Sequence, residues 1–226
     1  MLLRSMPAAL LKFFALAFSA LLPVVNPLGS ALVFLGLVGP APETAYRDLA
    51  RKVAIRTTIF FLIVELVGTA LLTFFGISLP VVQVAGGLVL ASMGWGLLNQ
   101  QGVQPSPDAV AVVIADEGAF AEKVFYPLTF PVTIDPGCIV VMLTLSAHAS
   151  VKSLRENLLS HSAILLAVIA ISVLVFICYA YAPKITARIS PQTAHGILRI
   201  IAFVLLCIGV QICWNGVHSL IRAALQ

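Results

Sequence analysis

Six stretches of the sequence are long enough to cross a lipid bilayer and consist almost entirely of apolar side chains. A hydrocarbon core about 30 Å thick requires roughly 20 apolar residues in helical form. Lipid supplies no hydrogen-bond partners, so each stretch must pair its own backbone groups, as a helix does. The stretches are 13–38, 57–75, 77–98, 124–147, 162–182 and 197–217. The sequence therefore predicts an all-α membrane protein with six transmembrane helices.

The composition excludes a soluble domain. Only 10% of the residues are charged and 61% are hydrophobic, with mean hydropathy +1.09, whereas soluble domains carry about 25% charged residues. The net charge of +4 comes from residues in short loops at helix ends, where headgroups and topology account for them. We therefore expect the lipid bilayer as a partner, no nucleic acid and no cofactor. The first stretch is also too long for a cleavable signal peptide.

The distribution of Lys and Arg predicts the orientation, because cytoplasmic loops carry an excess of both. The richer side has eight and the poorer side five of the 13 basic residues. The richer side is expected to be cytoplasmic, which puts both termini in the periplasm of a bacterial inner membrane. The richer side holds Arg47, Arg51, Lys52, Arg56, Lys123, Lys184, Arg188 and Arg199. The poorer side holds Arg4, Lys12, Lys152, Arg155 and Arg222.

One long connection divides the chain. Residues 99–123 separate a first three-helix repeat (1–98) from a second (124–226), and the apolar part of the connection, 109–115, is too short to cross the membrane. The spacings Glu43–Arg47 and Asp48–Lys52 predict that the second helix continues beyond the bilayer. Gly76 and Pro80 predict a tight turn between the second and third helices.

The first and fourth stretches share an unusual combination of helix-breaking residues. The sequence PVVNPLG occupies positions 23–29, and PVTIDPG occupies positions 131–137. Proline removes a backbone donor and clashes with the preceding turn, and it pushes the residue before it away from helical geometry. Each combination therefore predicts a helix that is interrupted near the middle of the membrane.

Interrupted helices at corresponding positions of two halves indicate the binding site of a transporter. The freed N–H groups and the positive dipole end of a half-helix suit an anionic group. The candidate substrate-binding residues are Asn26, Pro27, Gly29, Asp135, Pro136 and Gly137. Asp135 is also a candidate for carrying a proton or a cation. The alternative is that both sites are kinks that serve packing alone.

Matching residues suggest an internal repeat. Three pairs of residues are separated by the same 109 positions: Asn26 and Asp135, Pro27 and Pro136, and Gly87 and Gly196. Three is an odd number of spans, so the second half must enter the membrane from the opposite side. We therefore expect two inverted three-helix repeats, which suit alternating access around a central site.

Other polar residues give weaker indications. A carboxylate in the middle of a span, as at Glu65, is costly and faces protein or water. Proton or ion coupling and a structural hydrogen bond are both open explanations for it.

The four cysteines have no metal-ligand spacing and are expected to pack as small apolar groups. The four histidines (His148, His161, His195 and His218) lie at span ends, so we expect interfacial placement and no metal site. Arg199 is expected to extend its charge to the headgroups. Gly86, Gly87, Gly94 and Gly96 are expected to allow close helix packing.

These residues resemble the MarC family of bacterial inner-membrane proteins. The resemblance is carried by NPLG at 26–29, GIS at 76–78 with AGGL at 85–88, DPG at 135–137, and the closing stretch from GILR at 196–199 to Asn215-Gly216. It implies a six-helix inverted-repeat fold similar to amino-acid exporters of the LysE type, and transport of small neutral amino acids. Asp135 stands where the family usually has glycine, which favours an amine or cation contact at that position.

We therefore expect a secondary transporter of a small polar solute, best matched by a small neutral amino acid, with proton or sodium coupling. Asp135 and Glu65 are the candidate coupling residues. A metal-ion or cation exporter that uses the same two carboxylates as ligands is the first alternative. An enzyme is not expected, because no catalytic motif lies within a span. A membrane protein without transport activity is a further alternative. The sequence leaves a homo-oligomer open.

Overall fold

The computed structural model describes residues 2–99, 124–149 and 154–225, and within these ranges every regular element is helical. Of the predicted connection 99–123, residues 100–123 lie outside the described residues. The helices are α1 (Leu2–Val25), α2 (Pro27–Val38), α3 (Glu43–Phe74), α4 (Leu79–Asn99), α5 (Pro136–Ala149), α6 (Leu154–Ala180), α7 (Ala182–Arg188) and α8 (Pro191–Ala224). Between α4 and α5 lies the proline segment, Val124–Thr133, whose wide helical turns are interrupted by extended backbone at Tyr126 and Phe130.

The described helices account for the six predicted spans. Five are long and apolar enough to cross a membrane, and one of these is the combined span Ala9–Val38 made from α1 and α2. The proline segment and α5 together supply a sixth if the bent pair counts as one span. The all-helical, multi-pass prediction is confirmed. The inverted relationship of the two halves and the orientation of the termini remain predictions.

Helix α3 extends beyond its apolar stretch, and its additional turns carry ion pairs. Helix α3 begins at Glu43, and its first turns carry the predicted pairs Lys52–Asp48 at 2.6 Å and Arg47–Glu43 at 3.9 Å. Glu43 also contacts Lys184 of α7 at 2.8 Å. Helix α3 therefore continues beyond the apolar stretch 57–75, as predicted, and its position relative to the bilayer remains a prediction.

Helix α6 lies at the centre of the fold, packed against α1, α2 and α3. Its buried face contains Ala167, Val168, Ile171 and Val175, which recur at helical spacing. The outer surfaces of α3, α4 and α8 are apolar and exposed, as expected for helices that face acyl chains.

Glycine allows α4 and α8 to pack closely in antiparallel directions. A Cβ atom on Gly87 would lie 2.4 Å from the backbone nitrogen of Cys213, and one on Gly94 would lie 2.6 Å from that of Leu206. Gly86 is equally crowded by Val140, whereas Gly96 faces open space. The packing prediction is therefore confirmed for Gly86, Gly87 and Gly94 and is wrong for Gly96.

Two smaller predictions concern the turn after α3 and the four cysteines. The turn after α3 is formed at Gly76, whose φ of 67° favours glycine. All four cysteines are free thiols, with Cys138 and Cys178 buried, Cys213 partly exposed and Cys207 exposed.

Candidate solute site at two interrupted helices

The first interruption lies at Asn26, between α1 and α2. Its backbone is left-handed, with φ 45° and ψ 62°. The N–H of Gly29 donates to Asn26 Oδ1 at 3.1 Å, instead of to the carbonyl of Val25, its partner in a continuous helix. The Val25 carbonyl accepts from the Ser30 hydroxyl at 2.8 Å. A side-chain amide and a hydroxyl thus replace one backbone hydrogen bond.

The second interruption is larger. The proline segment and α5 meet at an angle of 68°. The N–H of Cys138 donates to Asp135 Oδ1 at 2.8 Å, so Asp135 caps α5 as Asn26 caps α2. The Thr133 hydroxyl donates to the carbonyl of Leu128 at 2.6 Å. Both interruptions are present, and in both the residue before proline accepts from the N–H three positions later.

The caps change the expected role of Asn26 and Asp135. Their Oδ1 atoms hold backbone donors of their own helices, so these oxygens do not face a solute in this conformation. The Nδ2 group of Asn26 takes no part in the cap, and it remains a donor that a solute could use.

Tyr179 of α6 connects the two interruptions. Its hydroxyl lies 2.8 Å from Thr133 Oγ1 in the proline segment, and its ring stacks on Phe34 of α2 with centroids 4.4 Å apart. The Thr133 hydrogen is already directed to the Leu128 carbonyl, so Tyr179 is the donor to Thr133. Tyr179 is fully buried. One rigid side chain therefore contacts both broken spans.

A cavity of about 360 Å³ lies beside the first interruption, between α1, α2, α6 and α8. Its walls are almost entirely apolar, although Asn26 and Cys178 are among the lining residues. The carbonyl of Pro23 lacks its usual helical partner, because Pro27 has no N–H. The lining residues are Leu22, Pro23, Asn26, Pro27, Leu28, Leu174, Cys178, Ile200, Ile201 and Val204. Asp135, Pro136 and Gly137 do not line this cavity.

The prolines and glycines of the motifs have structural roles. Pro27 and Pro136 each occupy the first position of a helix, where proline is favoured. A Cβ atom on Gly29 would lie 2.2 Å from Asn26 Nδ2, and one on Gly137 would lie 2.2 Å from Leu90 Cδ2. Gly29 thus makes room for the first cap, and Gly137 for the contact of α5 with α4.

Glu65 is buried, and its partner is His161. The distance from His161 Nδ1 to Glu65 Oε1 is 3.1 Å, and only 3% of the Glu65 side chain is exposed. The Ser146 hydroxyl donates to the backbone carbonyl of Glu65 at 3.2 Å. The position of His161 at a span end predicts a side chain at the membrane interface, and it does not predict this contact with Glu65. His161 is half-buried against a carboxylate.

Glu65 and Asp135 lie at opposite ends of α5. Ser146, which contacts Glu65, is 11 positions after Asp135, or about 16 Å along a helix axis at about 1.5 Å per residue. The two carboxylates therefore cannot ligate one cation in this conformation. Among the described residues no group of three or more His, Cys, Asp or Glu side chains is arranged to hold a metal ion.

Sequence reasoning missed the partners rather than the interruptions. Ser30, Thr133 and Tyr179 were not singled out, although hydroxyls close to prolines in a span are a signal for groups that satisfy freed carbonyls. The pairing of His161 with Glu65 links positions 96 residues apart, and no local pattern indicates it.

Comparisons with known proteins identify the family of this chain. The family model described as "MarC family integral membrane protein" matches residues 11–221. The chain belongs to the MarC family. MarC relatives include the inner membrane protein MarC of Salmonella arizonae, 29% identical over 216 residues, with 94% of this chain and 97% of the relative covered. The MarC proteins of Citrobacter koseri and Escherichia coli are 28% and 27% identical over 221 and 216 residues, with the same coverage. No solved structure gives a significant match.

Membership in the MarC family establishes a multi-pass integral membrane protein. The relatives are named inner membrane proteins, in agreement with the predicted bilayer. Their name says nothing about a solute.

Proposed function

We propose that this MarC-family chain is a secondary transporter of a small polar solute, with a small neutral amino acid as the best match. The observation that carries the proposal is the pair of equivalent interruptions. Each has a polar residue before proline that caps the following half-helix, and both are joined through Tyr179. Such interruptions in corresponding positions are typical of transporter sites at the membrane centre.

The volume of the cavity beside Asn26 is consistent with a small solute. At about 360 Å³, it is near the lower end of the roughly 300–1,000 Å³ that ligand sites occupy. The Nδ2 group of Asn26 takes no part in the cap, and it is a donor that suits the carboxylate of an amino acid. Asp135 joins this site when the second interruption rearranges, and its carboxylate then contacts the amine.

The inverted relationship of the halves is part of the proposal. The shared capping by Asn26 and Asp135 supports it, as does the antiparallel pairing of α4 with α8, the third helix of each repeat. Gly87 and Gly196 do not add to it, because Gly87 is crowded by α8 whereas Gly196 faces open space.

Uptake of labelled glycine, alanine and serine into proteoliposomes tests the proposal. We expect saturable uptake of at least one of them, and its loss in Asn26→Ala and in Asp135→Asn. Ser92→Ala, on an exposed position of α4, is the matched control and should transport normally. Folding is checked by the melting temperature of each purified variant. Equal uptake by protein-free and protein-containing vesicles would contradict the proposal and favour a membrane protein without transport activity.

A further inference from the structure

Glu65 and His161 form a buried side-chain contact between two spanning helices, α3 and α6. Glu65 lies in the apolar part of α3, 22 positions after its start, and His161 lies seven positions after the start of α6. The Glu65 side chain is 3% exposed, whereas the His161 side chain is 28% exposed. A carboxylate at this depth is costly unless it is paired, and here the imidazole is both its partner and its contact with the surroundings.

We infer that Glu65 and His161 together bind the proton that is coupled to transport, and that α5 carries the effect to the second interruption. Only the coupling of proton binding to transport rests on the proposed function. Proton binding by the pair is a separate property that can be measured without any solute.

The chemistry of the pair balances with one proton. With a neutral imidazole, Nδ1–H donates to the Glu65 carboxylate, Nε2 carries a lone pair, and the pair has a charge of −1. One proton taken up at Nε2 gives an imidazolium and a carboxylate with a net charge of zero. Release of that proton restores the first state. A change between −1 and zero is large in a low-dielectric setting, so the occupied and empty pairs favour different surroundings.

Among the described side chains, His161 is the titratable group that contacts the Glu65 carboxylate. The other titratable or charged groups at this end of α5 and α6 are His148, Arg155 and Glu156, all exposed. His148 Nδ1 lies 2.7 Å from the Thr144 carbonyl. On the proline segment, which also packs on α3, the titratable group is the exposed Tyr126.

Helix α5 connects the pair to the second interruption. Its far end is tied to the Glu65 carbonyl by Ser146, and one turn closer to the break a Cβ atom on Gly68 of α3 would lie 2.3 Å from Leu143 Cδ2. Its near end is the Asp135 cap. A change of charge at the pair therefore acts on one end of a short, rigid helix whose other end is the interruption.

Proton and solute movement are measured together in proteoliposomes that contain the pH dye pyranine. A gradient of glycine, and in parallel of alanine and serine, drives transport, and the protons carried per labelled solute are counted. We expect a fixed ratio for the wild type and for His148→Gln. The ratio should fall to the background of empty vesicles in Glu65→Gln and in His161→Gln. If a single variant does not fold, the double variant Glu65→Gln/His161→Gln is used in its place, because two glutamines can form a neutral hydrogen-bonded pair.

A second measurement does not depend on the solute. The infrared difference spectrum between acid and alkaline pH should contain histidine-ring or carboxyl bands that are lost in both Glu65→Gln and His161→Gln and kept in His148→Gln. Solute uptake without protons, or an unchanged ratio in both variants, would overturn the inference and leave the proposed function standing. Absence of uptake by the wild type, with the paired infrared bands present, would overturn the proposed function and leave the proton site standing.

Discussion

The hydrogen bond from Tyr179 to Thr133 can be isolated by a double-mutant cycle. Tyr179→Phe removes the hydroxyl and keeps the ring stacked on Phe34. Thr133→Val removes the acceptor, which lies 2.8 Å from the Tyr179 hydroxyl. Both residues are almost completely buried, at 0% and 2% exposure, so water does not replace the lost partner.

The expected size of the coupling follows from this geometry. A buried neutral hydrogen bond contributes about 0.5–1.5 kcal/mol net, and we expect a coupling energy of about 1 kcal/mol between the two substitutions. Thr133→Val alone should cost more than Tyr179→Phe, because it also leaves the Leu128 carbonyl without its hydroxyl partner. Thr129→Val is the matched control, since Thr129 is equally buried and its hydroxyl bonds the Val124 carbonyl at 2.7 Å.

The assay is equilibrium unfolding in mixed micelles by titration with SDS, followed by the fluorescence of Trp95 and Trp214. The cycle of Tyr179→Phe with Thr129→Val should be additive within about 0.5 kcal/mol, as for residues that share no partner. Coupling between Tyr179 and Thr133 that is no larger than in this control would refute the claim that Tyr179 joins the two interruptions.

Three further predictions concern the glycines, and thermal unfolding in detergent measures each of them. Gly87→Ala should destabilise the protein by about 1–3 kcal/mol, because the new methyl group meets the backbone of α8. Gly96→Ala lies in open space on the same helix, and it should be neutral or stabilise the protein by up to about 1 kcal/mol. Equal losses of stability for the two variants would contradict the packing of α4 against α8. Gly29→Ala should displace the Asn26 side chain and lower the stability by about 0.5–2 kcal/mol, the usual range for a lost helix cap. If the double variant Gly29→Ala/Asn26→Ala loses as much stability as the two single variants together, the two substitutions do not act through the same cap. Gly137→Ala should be destabilising because it meets the end of the Leu90 side chain, and Leu90→Val should relieve part of that loss; a purely additive double variant would show that the contact is unimportant.

The sequence predicts the spans well because the solvent determines them. Apolar runs of sufficient length must become helices in lipid, and all six correspond to described elements. The ends are predicted less well, because the solvent changes there. Hydropathy carries no information about the extension of α3 to Glu43, which is predicted instead by the spacings Glu43–Arg47 and Asp48–Lys52.

The interruptions are predictable, but their shapes are not. Proline at positions 27 and 136 indicates both breaks, yet the first is a single left-handed residue within one span and the second bends by 68°. The difference lies in what precedes each cap, since the proline segment has extended backbone at Tyr126 and Phe130. Contacts such as Tyr179–Thr133 and Glu65–His161 depend on how distant helices pack, which one sequence alone does not specify.

The most direct test of the central claim is solute-dependent access to the first interruption. Leu28 lines the cavity and is 38% exposed, so Leu28→Cys is placed in a background without the four native cysteines. A membrane-impermeant thiol reagent should label it in proteoliposomes, and glycine or the preferred solute should slow that labelling, whereas Gly196→Cys at the exposed start of α8 should be insensitive to the solute. Leu28→Cys that is never labelled from either side, or that is labelled at the same rate with and without solute, would contradict a solute site at the broken helix.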